Sequence, residues 1–196
     1  MSPSSSMKSA QTLFEKSYIT YHRTDSTEIP EETQMDIYKY IVENYDEKYY
    51  KERKYKTKVK NAQEGHSAIT PTDINRVIIN DDTITDYDRK LYKLIWKRTV
   101  ASQMESAKYD VITMNIVISD EVLYFIARAE RLVFDGFMKV YKVDDLGDDE
   151  ECSKNSYKQF SKLEKGSKLN YKMINATEKY TQASSRYTEA SLIKKM

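Results

Sequence analysis

The chain has 196 residues, 32 of them Lys or Arg and 31 Asp or Glu, for a formal net charge of +1. So balanced a composition gives no overall attraction for polyanions, and any nucleic-acid surface must come from local clustering. One cysteine, Cys152, excludes an internal disulfide framework and a cysteine-based zinc site, and four glycines form neither a G-x-G-x-x-G nor a P-loop cradle. With no apolar run long enough to span a membrane and no signal-peptide pattern, the chain reads as a soluble intracellular protein.

In chain order, Ser4 to Lys16 is predicted to be a helix, with Met7, Ala10, Leu13 and Phe14 at helical spacing behind possible serine caps. Tyr18 to Tyr21 follows as a short strand, because aromatic, Ile and Thr side chains suit a pleated surface. If the extended geometry continues, Tyr21, Arg23 and Asp25 point to one side and His22 to the other. A phenol, a guanidinium and a carboxylate would then share one small area. Tyrosine can act as a covalent nucleophile, and arginine grips phosphate oxygens bidentately, so the trio suits chemistry on a phosphodiester. Residue type alone does not single out Tyr21, since the chain has 17 tyrosines. Thr24 to Thr27 reads as a turn, and Pro30 precedes a helix over about Glu31 to Glu43 with Met35, Ile37, Tyr38 and Ile41 apolar.

Glu47 to Lys60 is basic with interleaved tyrosines, and Lys54 and Lys56 lie in its middle. Such a segment holds single-stranded nucleic acid through phosphate attraction and base stacking. A solvated, irregular surface segment is the competing reading. His66 follows; a histidine is more often structural than catalytic, but it can donate to a phosphate oxygen. Thr85 or Asp86 caps a long scaffold helix over Tyr87 to Ser106, with Tyr87, Leu91, Leu94, Ile95 and Ala101 on its apolar face, Trp96 and Val100 widening it, and Arg98 on another part of its surface. After Lys108 the pattern alternates. Val111 to Ile118 and Val122 to Ala129 read as a hairpin interrupted at Ser119-Asp120-Glu121. Leu132 to Val143 and Leu169 to Met173 read as further strands, and acidic Asp144 to Glu151 as a solvated loop. The change of period places a boundary between a helical and a β part near Ala107.

Five stretches, in order, resemble the successive motifs of type IA DNA topoisomerases, on the bacterial topoisomerase I and reverse gyrase side of that family. They are Tyr-Ile-Thr-Tyr-His-Arg-Thr-Asp-Ser (18–26), Glu-Gly-His-Ser-Ala-Ile-Thr-Pro-Thr-Asp (64–73), Leu-Tyr-Lys-Leu-Ile-Trp-Lys-Arg with Ala-Ser-Gln-Met (91–104), Phe-Asp-Gly-Phe (134–137) and Arg-Tyr-Thr-Glu-Ala-Ser-Leu (186–192). The resemblance implies that Tyr21 attacks single-stranded DNA to form a 5′-phosphotyrosine, that another strand passes through the gap, and that the freed 3′ hydroxyl reverses the attack. Ester is exchanged for ester, so resealing needs no ATP. Arg23 would position the tyrosine and phosphate, Asp25 would support that arrangement, and His66 would hydrogen-bond the phosphate. Gln11 and Arg186 would be DNA or active-site contacts.

The resemblance also implies a fold class: α+β, with a mainly helical, winged-helix-like catalytic domain over 1–107, a β-rich arch segment over 108–184 and the start of a helical base domain over 185–196. Family members commonly carry Ile-Arg-Pro where this chain has Ile69-Thr70-Pro71, and prolines where it has Ala183, Ser184 and Ser185. The acidic domain that holds Mg²⁺ beside the tyrosine has no counterpart here, so no metal ligand is assigned, and the chain is expected to be a central segment. Its partners would be DNA and the metal-binding and base domains of the same enzyme, with no membrane, at a nucleoid or viral replication site. A non-catalytic remnant that binds single strands weakly, or that acts only with a metal-binding partner domain, is the rival reading. A tyrosine recombinase would instead show several dispersed arginines around the tyrosine.

Overall fold

The computed structural model describes residues 2–24, 26–55, 67–118, 123–141, 156–170, 172–173 and 175–196. Two compact units are present: Met1–Lys108 with Phe134–Val143, and Tyr109–Val133 with Asp144–Met196. The described elements make a mixed α/β fold with one two-stranded antiparallel sheet.

In the first unit, α1 (Pro3–Glu15) is started by Ser2, whose hydroxyl accepts from the Ser5 amide at 3.2 Å, with Pro3 in the first turn. It ends in a Schellman motif. Tyr18 N–H donates to the Leu13 carbonyl and Ser17 N–H to the Phe14 carbonyl, both at 2.8 Å, with Ser17 at φ 58°. A left-handed serine costs about 1 kcal/mol, which glycine would not pay in sterics. Ser17→Gly is therefore expected to raise the melting temperature by a few degrees (roughly 1 kcal/mol), read by thermal denaturation.

The second helix, α2 (Glu31–Asn44), buries Ile37 and Ile41, and its Gln34 amide donates to the Ile29 carbonyl at 2.8 Å. The central beam is α3 (Asp86–Ser102), opened by a Thr85–Asp88 capping box. It ends four residues before the predicted Ser106. The predicted apolar face holds in part: Trp96 and Val100 are buried and Leu91 and Ile95 pack against the core, but Asp88, Tyr92 and Thr99 also point inward, whereas Tyr87 and Leu94 are exposed. The reason is that α3 serves two cores at once. Tyr92 joins Ala10, Leu13, Ile19, Ile79 and Ile84, while Trp96 and Val100 join Ile29, Ile37, Ile41, Ile74, Met104 and Val140. Both aromatics also donate to one connecting segment, Tyr92 to the Arg76 carbonyl at 2.5 Å and Trp96 to the Ile74 carbonyl at 2.8 Å. Burial pushes the Tyr92 phenol up to about 12, so it stays a donor.

Gln103 and Arg53 close the far end of α3. Gln103 is fully buried and exchanges hydrogen bonds with the backbone of Arg53 at 3.0 Å each way. The Arg53 guanidinium donates to the carbonyls of Ser102 and Met104 and to the Ser106 hydroxyl, where cations are favoured by the helix C-terminus. The segment after Met104 is pressed between Tyr49, whose carbonyl accepts from Glu105 N–H at 2.7 Å, and a 3₁₀ turn at Gly136–Lys139. That turn is a correction to the predicted strand over Leu132 to Val143, because Gly136 at φ +50° takes the chain out of extended geometry.

In the second unit, β1 (Lys108–Val117) alternates as expected, with Ile112, Met114 and Ile116 half-buried and Val111, Thr113 and Asn115 exposed. Its partner β2 (Tyr124–Phe134) is one strand across the two stretches that the sequence pattern separated. The interruption at 119–121, the acidic segment 144–151 and Tyr171 lie outside the described residues. Leu169 and Met173 are exposed and in no strand; alternation alone, with no partner strand, did not make a sheet. A last helix, α4 (Glu189–Lys195), starts at a capping box of Thr188 with Ser191.

Candidate functional site

The Schellman turn delivers the chain to Ile19, which is 1% exposed and pairs with Pro71 in an isolated antiparallel bridge. This bridge replaces the predicted strand over Tyr18 to Tyr21. The pairing is still specific: Thr20 N–H donates to the Thr70 carbonyl at 2.9 Å, and Thr72 N–H donates to the Tyr18 carbonyl at 3.1 Å. The Thr20 hydroxyl accepts from Thr70 N–H at 3.0 Å and donates to the Ala68 carbonyl at 2.9 Å. Ala68 N–H in turn donates to the Glu28 carbonyl at 2.7 Å. The loop from Tyr21 to Thr27 is thus fastened at both ends to one residue, Ala68. Sequence reading linked the 18–26 and 64–73 motifs only through resemblance. The structure brings 18–20 and 68–72 into direct contact.

Tyr18 is pinned separately. Its hydroxyl donates to Asp81 at 3.1 Å, and the Arg76 guanidinium lies 5.4 Å above its ring. Asp81 also accepts from the Thr83 hydroxyl and amide, at 2.5 and 2.8 Å, and pairs with Lys16 at 3.4 Å. The Thr83 hydrogen bonds, and after them Tyr18 and Lys16, hold the Asp81 carboxyl well below the usual carboxylate range against its desolvation. A carboxylate depressed on folding stabilises the fold fully above its unfolded value, and that contribution is lost as pH falls through the folded one. Asp81→Asn is accordingly expected to destabilise the chain at about pH 7, and the gap to the unmutated chain to close only as the pH falls well below the usual carboxylate range, read by urea denaturation.

Beyond the bridge the backbone bends at His22. Tyr21 is half-buried and stands edge-on to Phe14, centroids 5.5 Å apart at 89°. The His22 ring lies 5.3 Å from Phe14 and 5.1 Å from Tyr21. Neighbouring residues of a strand point to opposite faces, so the placement of His22 away from Tyr21 is corrected: the bend turns both rings onto Phe14. His22 Nδ1 is buried without a hydrogen-bond partner among the described residues. Nothing in the sequence pattern signalled this contact.

Arg23 is exposed, on the same loop. Asp25, Lys56 and His66 lie outside the described residues. Gln11 is exposed on α1 and donates to Glu15 at 2.8 Å. Lys54 is exposed and paired with Glu31 and Glu52 at 3.7 and 3.6 Å. Arg186 belongs to the second unit and is exposed. In the described half of the basic segment, cations already have partners within the chain: Lys51 pairs with Glu105 at 3.7 Å, and Arg53 closes α3. Among the described residues no group of three or more His, Cys, Asp or Glu could hold a metal ion, and no helix is long and apolar enough to cross a membrane.

A family model described as DNA topoisomerase matches residues 1–196, and the chain belongs to that family as a segment of type IA. It is 43% identical over 205 residues to the DNA topoisomerase 1 type prokaryotic of Acanthamoeba polyphaga mimivirus, covering all of this chain and 24% of that protein. To the DNA topoisomerase 1 of Buchnera aphidicola it is 36% identical over 189 residues, covering 95% of this chain and 21% of that protein. Full-length topoisomerase I from Thermotoga maritima superposes with a TM-score of 0.60 at 30% identity, over 74% of this chain and 24% of that one. The chain spans between a fifth and a quarter of the length of these relatives.

Proposed function

We propose that this chain supplies the nucleophile for breaking and rejoining single-stranded DNA in a type IA topoisomerase. The family match over the whole chain carries the reading, and the mounting of Tyr21 supports it. In the proposed reaction the Tyr21 phenolic oxygen bonds to phosphorus and the bond from phosphorus to the 3′ oxygen breaks. The phenolic proton ends on that departing oxygen, directly or through water. The product is a 5′-phosphotyrosine and a free 3′ hydroxyl, and reversal restores the strand after another has passed. Arg23, on the same loop, would grip the phosphate and offset charge that develops on it. Asp25 would orient that arginine and His66 would donate to a phosphate oxygen. Gln11, Lys54, Lys56 and Arg186 are proposed DNA contacts. The partner pairs of Gln11 and Lys54 must open for that, which weakens their contribution.

The first unit is proposed to correspond to the winged-helix-like catalytic domain, the β1–β2 hairpin to one limb of the arch, and α4 to the start of the base domain. Mg²⁺ would be held by the acidic domain that the family resemblance implies. None of the steps above runs through it. The substrate would be a single-stranded segment of duplex DNA wherever the genome is replicated.

The test is covalent trapping of a single-stranded oligonucleotide labelled at its 3′ end, the end that stays with a 5′-phosphotyrosine. The chain is mixed with it, with and without Mg²⁺ and a relative's metal-binding part supplied in trans. The expected result is a labelled adduct on Tyr21, located by fragmenting the tryptic peptide 17–23, which also holds Tyr18. An adduct on another tyrosine would overturn the assignment. No adduct under any condition would favour the non-catalytic reading.

A further inference from the structure

Next to the tyrosine loop the first unit has an open cleft of about 780 Å³. It is distinct from the Tyr21 side. Thr24, Ser26 and Thr27, the far half of the loop, line it, whereas Tyr21 and Arg23 do not. Arg98, Thr99, Ala101 and Ser102 at the end of α3 also line it, as do Phe137 and Tyr141. Its volume falls in the roughly 300–1,000 Å³ range typical of small-molecule clefts.

The chemistry of the wall selects a ligand class. Among the described residues that line the cleft, Arg98 is the only charged side chain, and no carboxylate faces it. The Arg98 guanidinium lies 5.4 Å above the Tyr141 ring, which leaves its edge available for hydrogen bonding while the ring supports its plane. Three aromatic rings, Tyr55, Phe137 and Tyr141, line the cleft, and Tyr55 is held by a 2.9 Å hydrogen bond to the Ser102 carbonyl. The remaining wall is a mostly apolar surface of Ile29, Ala68, Ile69 and Ala101 interspersed with Thr and Ser hydroxyls. A permanent cation, rings and an apolar wall for a planar face, and scattered hydroxyls for sugar oxygens make one combination. They suit an anion attached to a flat heterocycle, and they disfavour a cation.

We propose that this cleft binds one nucleotide unit, with its phosphate at Arg98 and its base against the aromatic rings. The site goes beyond the covalent reading of Tyr21 and does not depend on it. Two sources share this chemistry: a nucleotide of the strand that passes the tyrosine loop, or a free mononucleotide. Because Thr24, Ser26 and Thr27 belong to the loop that bears Tyr21, occupancy also restricts that loop.

The test uses the full chain carrying Tyr21→Phe, so that no covalent chemistry contributes. Alanine methyl groups are labelled with ¹³C: Ala68 and Ala101 line the cleft, while Ala10 is buried away from it against Leu13 and Ile19. Deoxynucleoside monophosphate and a short oligodeoxynucleotide are titrated separately, with the unphosphorylated nucleoside as control. The Ala68 and Ala101 methyl signals are expected to shift saturably while Ala10 stays still. Arg98→Gln is expected to weaken binding about tenfold or more, the worth of one charge-assisted hydrogen bond. A shift with the oligonucleotide at lower concentration assigns the site to the strand; a shift with the monophosphate alone assigns it to free nucleotide. Arg98 is exposed, so its replacement should leave the fold intact, and Ala101→Leu, which fills the cleft from α3, gives a second route to the same loss. Absent shifts at Ala68 and Ala101, equal binding of the nucleoside, or binding indifferent to both replacements would overturn the proposal.

Discussion

Tyr21→Phe is expected to remove the covalent adduct entirely, a loss of about ten-thousand-fold or more on the scale seen when an enzyme's nucleophile is deleted. The change is well isolated. The Tyr21 ring rests edge-on against Phe14, and phenylalanine keeps that contact, so only the hydroxyl disappears. Stability should move by no more than about 1 kcal/mol, the usual worth of one hydrogen bond. Non-covalent binding of the oligonucleotide should also be nearly unchanged, because charge and aromatic surface are retained. Trapping assays, thermal denaturation and fluorescence anisotropy read the three quantities separately. A variant that still formed the adduct would remove Tyr21 from the mechanism; one that lost adduct and strand binding together would point to a positioning role.

Gly136→Ala is expected to be the most damaging small substitution in the first unit. Gly136 lies at φ +50°, where a side chain costs about 1–2 kcal/mol. An added Cβ would also meet the Glu105 carbonyl oxygen and stand 2.6 Å from the Ser106 carbonyl carbon. Neither is the flexible end of a side chain. Glu105 is held on one side by Tyr49 and on the other by Phe137, whose N–H donates to its carbonyl at 2.8 Å. With overlap adding a further ~1–3 kcal/mol, the total is about 3 kcal/mol or more, or roughly 10 °C in melting temperature. Calorimetry checks the figure. An unchanged melting temperature would mean that the 3₁₀ turn is free to move away from Glu105.

The helices were legible where one face serves one core. Ala10 and Leu13 in α1, and Ile37 and Ile41 in α2, repeat at helical spacing and are buried. In α3 the same reasoning found Leu91, Ile95, Trp96 and Val100 but missed Tyr92 and included exposed Tyr87 and Leu94, because Tyr92 and Trp96 divide the helix between two cores and their polar ends bond to a distant segment. Arg53 read as part of a surface charge run, since nothing local shows that it returns to the end of α3. The turn at Gly136 did carry a signal: Asp135-Gly136 is a common turn pair that the surrounding apolar residues masked. At the candidate site, Tyr21 was singled out by its neighbours and by resemblance, and the family match covers its position without assigning it a role. Aromatic and β-branched residues suggested a strand, but only Ile19 pairs as one, and the bend at His22 breaks the alternation on which the placement of Arg23 and Asp25 relied.

The fastening of the tyrosine loop to Ala68 has a mechanical side. If Tyr21 holds a cut strand, any tension on that strand enters the protein through the loop. The load then divides between the chain itself, which enters the core at Ile19 and Ile29, and the hydrogen bonds of Thr20 and Glu28, which both end on Ala68. Two hydrogen bonds pulled together resist better than two pulled in turn, because neither can open until the other has stretched. An anchorage of this kind would let the end stay attached under load without asking the helices to bend.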